Sequence, residues 1–356
     1  MGNVEDFGRW DDSADSRTYP LLFLGQPLLD ISAHVDPLLL EKYALKPNDM
    51  ILAEERHKSL FHELATNYSV FYTAGGSSQN TARGAQWLLP PYSTCFIGCV
   101  GDDDWATILR DSANASGVAS MYVQEEAFST GICAVLLTGA ERSMVTDLQA
   151  ASKLRLSSLQ TPRTAHYMEQ ASIIYITGFL LKGSHEVVLH VAKNAHSRKQ
   201  ILAFNLSAPW ISHVLKDEVA TVIPYCDYIF GNASEALAYA DANSLCVSSL
   251  HDIAQHIARI EGNPGRTVIV TNGENPVVVA TADTVIEMSV AGLPNEEIVD
   301  SNGAGDGFCG GFCAGLLKGL PLQEAIKTGL SVAREVLKMP GATYPKVKPE
   351  DLRHFN

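Results

Sequence analysis

Apolar residues fall along this chain in two different patterns, and the change comes near residue 165. Beyond it, residues 173–176 (IIYI), 201–205 (ILAFN), 228–231 (YIFG) and 268–271 (VIVT) are short continuous apolar runs separated by stretches of helical spacing. Continuous apolarity means burial on both faces, the position of strands in a parallel sheet covered by helices on each side. The earlier half is more varied. Residues 19–30 (YPLLFLGQPLLD) suit a buried strand followed by a turn, and residues 31–35 (ISAHV) alternate as a half-exposed strand does. Residues 54–64 are amphipathic, and residues 70–73 (VFYT) form a short strand running into AGGSSQN. Residues 81–89 have helical spacing and stop at Pro90-Pro91, and residues 95–104 (CFIGCVGDDD) read as strand, turn and helix. Residues 131–138 and 143–147 are the strands of a hairpin joined by residues 139–142.

The pattern predicts an α/β fold: a doubly wound core, with a mostly parallel central sheet flanked by helices, and a small β appendage assembled from separated N-terminal pieces. Residues 1–19 read as an acidic, solvated tail. The large α/β domain takes residues 20–29, 75–125 and 151–356, and the small domain residues 30–74 and 126–150. The length of 356 residues suits about two domains of typical size.

Charge narrows the function classes. Lys and Arg number 26 against 40 Asp and Glu, a net charge of −14, which repels phosphate backbones and disfavours nucleic acid as a partner. It leaves room for a local phosphate site. No apolar run approaches the roughly 18 residues of a membrane span. The N-terminus lacks a secretory h-region, and Asp6 breaks the myristoylation pattern. Seven cysteines, an odd number without a CxxC pair, argue against a disulfide framework or zinc ribbon and for a reducing, cytoplasmic compartment.

The segment richest in chemistry is residues 298–311, IVDSNGAGDGFCGG. An apolar pair and Asp300 precede a glycine-rich turn, and Phe308, Phe312 and Leu316 then recur at helical spacing. This reads as strand, tight loop and helix. Free N–H groups at a helix N-terminus, reinforced by the dipole, make an anion site. Asp306 within it is either an ordinary first-turn helix charge or a base beside a transferred phosphate, because phosphoryl transfer to an alcohol needs a group to take the hydroxyl proton. Gly305, Gly307 and Gly310 match G-x-G-x-x-G, but the loop is far from the first strand and Leu330 stands where a dinucleotide fold needs an acid. The absence of any Gly-Lys pair excludes a Walker A loop.

DSNGAGDGF resembles the C-terminal signature D-T-x-G-A-G-D of the ribokinase-like kinases. GQPLLDIS, LKPNDMILAE, AGGSSQN, NLSAP and FGNASEA, in that order, narrow the likeness to the adenosine kinases of that family, from about residue 20 to the end. The resemblance implies a large α/β domain with a small β lid, and transfer of the γ-phosphate of ATP to the 5′-hydroxyl of adenosine, giving AMP and ADP with Mg²⁺. It makes Asp306 the general base and the backbone of Gly303, Ala304 and Gly305 an anion hole. Arg142 matches a lid arginine that reaches the phosphates, and Asp30 an aspartate that accepts from two ribose hydroxyls. Gln26, Gly75, Gly76, Ser77 and Asn80 fall in the ribose-binding segments. Asn232 and Glu235 match an N-x-x-E motif that influences Mg²⁺ through water, a role compatible with helix capping. Thr271, Gly273 and Asn302 belong near the ATP phosphates. For adenine the matching apolar positions are Leu28, Leu52, Cys133, Leu148, Phe179 and Trp210, with ordinary core packing as the alternative for each.

The chain departs from the family pattern in places. Gln26 replaces an Asn, Met50 a Gln, Trp210 a Phe and Leu330 a His, and Gly307 stands where Ala is usual. None of these touches Asp306 or the anion hole. The expectation is a monomeric kinase; a related sugar kinase and a silent nucleoside-binding protein are the alternatives.

Overall fold

The computed structural model describes residues 18–47, 49–139 and 141–355. Most of the expected acidic tail lies outside these residues, but its last member, Tyr19, is 1% exposed and packs edge-on against Tyr167.

Among the described residues, nine strands form the large sheet, in the spatial order Val285–Met288, Asn275–Ala280, Thr267–Asn272, Tyr228–Asn232, Ile201–Asn205, Ile173–Thr177, Leu21–Leu24, Thr94–Val100 and Ala119–Gln124. All neighbours are parallel except the two pairs at the C-terminal edge, which are antiparallel. The strand Leu21–Leu24 shows why the sequence is apolar without alternation. Leu22 and Leu24 enter one core, Leu21 and Phe23 the core on the other face, and none is more than 1% exposed.

A second sheet of five strands has the order Met50–Leu52, Glu141–Asp147, Ile132–Thr138, Leu28–His34 and Phe71–Gly75. The chain passes from one sheet to the other within the short Gly25–Pro27 link, so Asp30 sits in a strand rather than a turn. Leu29, Ile31 and Ala33 face a core shared with Leu60, Leu64 and Leu109. Period-two alternation therefore puts Leu28 and Asp30 on the opposite face, which looks into the cleft between the sheets.

Three local expectations change. The hairpin is tighter than its sequence suggested: Thr138 pairs with Glu141, so Arg142 lies on the second strand and not in the turn. Residues 298–300 are not a strand. Ile298 is 38% and Val299 62% exposed, and the Val299 N–H bonds to the Leu337 carbonyl at the end of a helix. The helix expected over residues 81–89 begins earlier, spanning Ser77–Leu88 directly behind Gly76. No helix among the described residues is long and apolar enough to cross a membrane.

Candidate functional site

Two helices meet in the cleft. The Ala304–Leu317 helix starts behind Gly303, whose φ of 78° and whose absent Cβ, which would lie 2.4 Å from that of Ala342, both require glycine. Its first-turn N–H groups have no acceptor within the helix, and Gly303 and Gly305 line the cleft. On the Ser77–Leu88 helix, Ser77, Asn80 and Arg83 recur every three residues and so share one face. Gly76 caps this helix at φ 91°, where a Cβ would strike the Gln26 carbonyl at 2.2 Å.

Asp306, in the first turn of its helix, receives both of the facing donors. Ser77 Oγ donates to Oδ1 at 2.6 Å and Asn80 Nδ2 to Oδ2 at 3.0 Å. Burial pushes the Asp306 carboxyl up to about 6, while these two hydrogen bonds and the Arg83 charge act in the opposite direction. A carboxyl near pH 6 is ionised at neutral pH yet still basic enough to take a proton.

A cavity of about 200 Å³ opens on one side of Asp306. Gln26, Asp30, Gly76, Ser77 and Asn80 line its polar end beside Asp306, Gly303, Gly305 and Asn302. Leu28, Leu52, Leu148, Phe179 and Trp210 line its apolar part, with Phe179 and Trp210 ring centroids 6.3 Å apart. Burial raises Asp30 to about 7, against the charges of Arg142 and Arg83. Gly75 lies under this carboxylate, its missing Cβ position 2.3 Å from Oδ1. Gln26 is 6% exposed and gives its Nε2 to the Lys182 carbonyl at 3.1 Å.

On the other side of Asp306 is a second cavity of about 110 Å³, to which Asn232, Glu235 and Thr271 contribute. Ser77, Ser207, Gly305 and Asp306 line both cavities, so Asp306 stands on the wall between them. Asn232 and Glu235 form a reciprocal cap: Asn232 Oδ1 accepts from the Glu235 N–H at 2.9 Å, while its own N–H and Nδ2 donate to the Glu235 carboxylate at 3.0 and 2.7 Å. Burial raises Glu235 to about 7.

Several sequence-picked residues sit elsewhere. Cys133 is fully buried beside Thr146 on the neighbouring strand, whose Oγ1 donates to its sulfur at 3.4 Å; Thr146, not Cys133, lines the first cavity. Gly273 is in an exposed turn and lines neither cavity, and Ala304 contributes only as the first helical residue. Arg142 bonds to Asp300 at 2.6 Å. Met50, noted as a departure from the family pattern, lines the first cavity, and so do Met144, Thr146, Thr177 and Ser207, which were not singled out. Ser207 follows Leu206 in the quoted NLSAP motif, so that motif held the signal.

The sequence profile of the pfkB family of carbohydrate kinases matches residues 38–349. The chain belongs to that family. Adenosine kinase 1 of Arabidopsis thaliana is 38% identical over 334 residues, covering 93% of this chain and 97% of the relative. The adenosine kinase of Saccharomyces cerevisiae is 39% identical over 337 residues, covering 93% and 98%. Among solved structures, Anopheles gambiae adenosine kinase in complex with P1,P4-di(adenosine-5) tetraphosphate superposes with a TM-score of 0.88 at 40% identity, covering 93% of this chain and all of that one. Adenosine kinase from Schistosoma mansoni in complex with 2-fluoroadenosine gives 0.88 at 32% identity, covering 93% and 98%. The family's ribokinase-like architecture is the one described above.

Proposed function

We propose that this protein is an adenosine kinase, transferring the γ-phosphate of ATP to the 5′-hydroxyl of adenosine and releasing AMP and ADP, a step of purine salvage. The observation that carries the reading is the place of Asp306 on the wall between two cavities, one apolar and nucleoside-sized, one walled by Asn232, Glu235 and Thr271. Adenosine takes the first. Its ring lies among Leu28, Leu52, Leu148, Phe179 and Trp210, and its vicinal hydroxyls donate to Asp30, with Gln26 beside it. ATP brings its γ-phosphate to the Gly303–Gly305 turn from the other side.

Asp306 accepts the 5′-hydroxyl proton as the oxygen attacks phosphorus, and the bond to the bridging oxygen breaks to leave ADP. Ser77 and Asn80 hold the carboxylate in line, and the N–H groups behind Gly303 receive the charge on the phosphoryl oxygens. Among the described residues no cluster of three His, Cys, Asp or Glu offers a metal cage, and both Glu235 oxygens already accept from Asn232. Such a donor set fits a Mg²⁺ ion carried on the phosphates: Asn232 and Glu235 would hold it through water, and it would supply neutralisation of phosphate charge. The proposal includes the lid role of the 30–74 and 126–150 segments, a monomer and a cytoplasmic location.

Coupled ADP release with adenosine, guanosine, inosine and ribose in parallel tests the reading. Adenosine should exceed ribose in kcat/KM by more than about tenfold, since a nucleobase buries apolar area that ribose lacks. Preference for ribose would make the protein a sugar kinase.

A further inference from the structure

Arg83 was not singled out by any motif, yet it lies at the centre of the site. It is 8% exposed, and its Nη2 is 2.6 Å from Asn80 Oδ1, 2.9 Å from the Ala74 carbonyl and 3.0 Å from the Ala342 carbonyl. Each of these partners belongs to a different wall. Asn80 holds Asp306; Ala74 precedes the glycine beneath Asp30; Ala342 packs against Gly303.

We propose that Arg83 is the positioning residue of the phosphoryl-transfer site, fixing the Asn80 amide so that its nitrogen donates to Asp306 and tying that aspartate to the glycine turn. The chemistry of the three groups fixes the orientation. A guanidinium only donates and a carboxylate only accepts. Between them, Asn80 must turn its oxygen to Arg83 and its nitrogen to Asp306; the flipped amide would face a donor with a donor and an acceptor with an acceptor. Tyr344 holds the backbone at the same residue, donating to the Asn80 main-chain carbonyl at 2.9 Å.

The charge of Arg83 has a second effect. Other titratable groups acting on Asp306 or feeling its field are Asp30 from the small sheet, Glu235 across the second cavity, Tyr175 from the large sheet, Tyr344 from the C-terminal segment, and Cys309 on the same helix. Two of these are carboxyls and none is a cation. Arg83 is the cation that lowers Asp306, and it lowers Asp30 as well. Its removal leaves these two buried carboxyls without that compensation, so Asp306 should hold its proton to higher pH.

The inference rests on the proposed role of Asp306, and the variants separate the two. Arg83→Gln removes the charge; Arg83→Lys keeps it, but the lysine nitrogen ends short of the Nη2 position. Arg83→Gln should raise the acid midpoint of the kcat–pH profile by about one pH unit and lower kcat at least about tenfold, whereas Arg83→Lys should leave the midpoint in place. Arg83→Lys should still lose about threefold in kcat, and this loss should vanish in an Asn80→Ala background. An unmoved midpoint in Arg83→Gln overturns the proposal, and so does an Arg83→Lys penalty of equal size with and without Asn80. Where Arg83→Gln fails to fold, by circular dichroism, the cycle with Asn80→Ala decides alone. If Asp306→Asn retains activity, the base assignment has failed instead; a dead Asp306→Asn beside an Arg83→Gln of wild-type midpoint sinks the Arg83 proposal only.

Discussion

Arg142 on the small sheet and Asp300 at the start of the glycine turn form an ion pair of 2.6 Å, with the two side chains 17% and 19% exposed. It connects the small sheet to the loop that leads into the Ala304–Leu317 helix. Asp300 is already committed to that loop, accepting from the Asn302 N–H at 2.8 Å and the Gly341 N–H at 2.9 Å. The pair thus ties the small sheet to the turn, and in the proposed reaction it leaves Arg142 beside the phosphate. Partial burial makes it stronger than a surface pair, and phosphate oxygens offer the same guanidinium a bidentate alternative.

Arg142→Ala should therefore lower kcat more than it weakens adenosine. A tenfold or greater fall in kcat, with the adenosine Kd from calorimetry moving less than about threefold, is the expected split. An unchanged kcat would remove Arg142 from the reaction.

The contrast between this pair and the glycine turn shows what the sequence reveals. DSNGAGD is local: its spacing carries the helix start and Asp306, whereas the helix at AGGSSQN begins at Ser77, earlier than the spacing of residues 81–89 indicates. The parallel sheet was also legible, because burial on both faces writes itself as unbroken apolar runs such as IIYI. The edge strand Val285–Met288 was not, since it mixes exposed and half-buried positions. Nor were the contacts that assemble the site. Arg142 meets Asp300 across 158 residues and Ser77 meets Asp306 across 229, and no periodicity encodes such pairings. Arg83 looks like any helical arginine until the Ala342 carbonyl arrives from 259 residues away. Cys133 misled in another way: it stands between Asp30 and Thr146 in register and shares their face, but it is fully covered and those two line the cavity in its place.

Asp30 gives opposite consequences for stability and binding. Its carboxyl is raised by burial to about 7, so the folded protein holds a proton that the unfolded chain releases near 4. Folding then binds more protons than unfolding between those values, and stability from this group falls as pH rises through about 7. Asp30→Asn should raise Tm at pH 8 by about 2 °C or more, and leave it nearly unchanged at pH 4. The same variant should weaken adenosine at pH 8, because a neutral amide accepts less strongly than a carboxylate. A lower Tm at pH 8 would mean that the pull of Arg142 and Arg83 outweighs the burial cost.

Gln26 tests the departure from the family's asparagine. Its amide reaches the Lys182 carbonyl at 3.1 Å, at a break in the following helix where Gly183 takes φ 93°. Asparagine is one methylene shorter and loses that tether. Gln26→Asn should change the KM for adenosine and 2′-deoxyadenosine by about threefold or more while the KM for ATP stays fixed. Equal shifts in both substrates point to a folding defect instead.

Asp306 carries the sharpest prediction. A 5′-hydroxyl is a weak nucleophile, and its proton must leave as the bond to phosphorus forms. A positioned carboxylate contributes roughly 10²–10⁴-fold in such steps, about 3–5 kcal/mol of transition-state stabilisation. Asp306→Asn keeps the shape and keeps an acceptor for one of Ser77 and Asn80, but its amide nitrogen faces the other donor and cannot take a proton. kcat should fall by that factor, while adenosine affinity changes far less because Asp30 and the apolar wall are untouched. The pH profile adds an independent check. The Asp306 carboxyl sits near 6, so wild-type kcat should decline as pH falls through about 6, as the base becomes protonated. The residual activity of Asp306→Asn should lack that limb. Retention of more than about a tenth of wild-type kcat by the variant would leave Asp306 as a helix-terminal charge and assign the proton to another group.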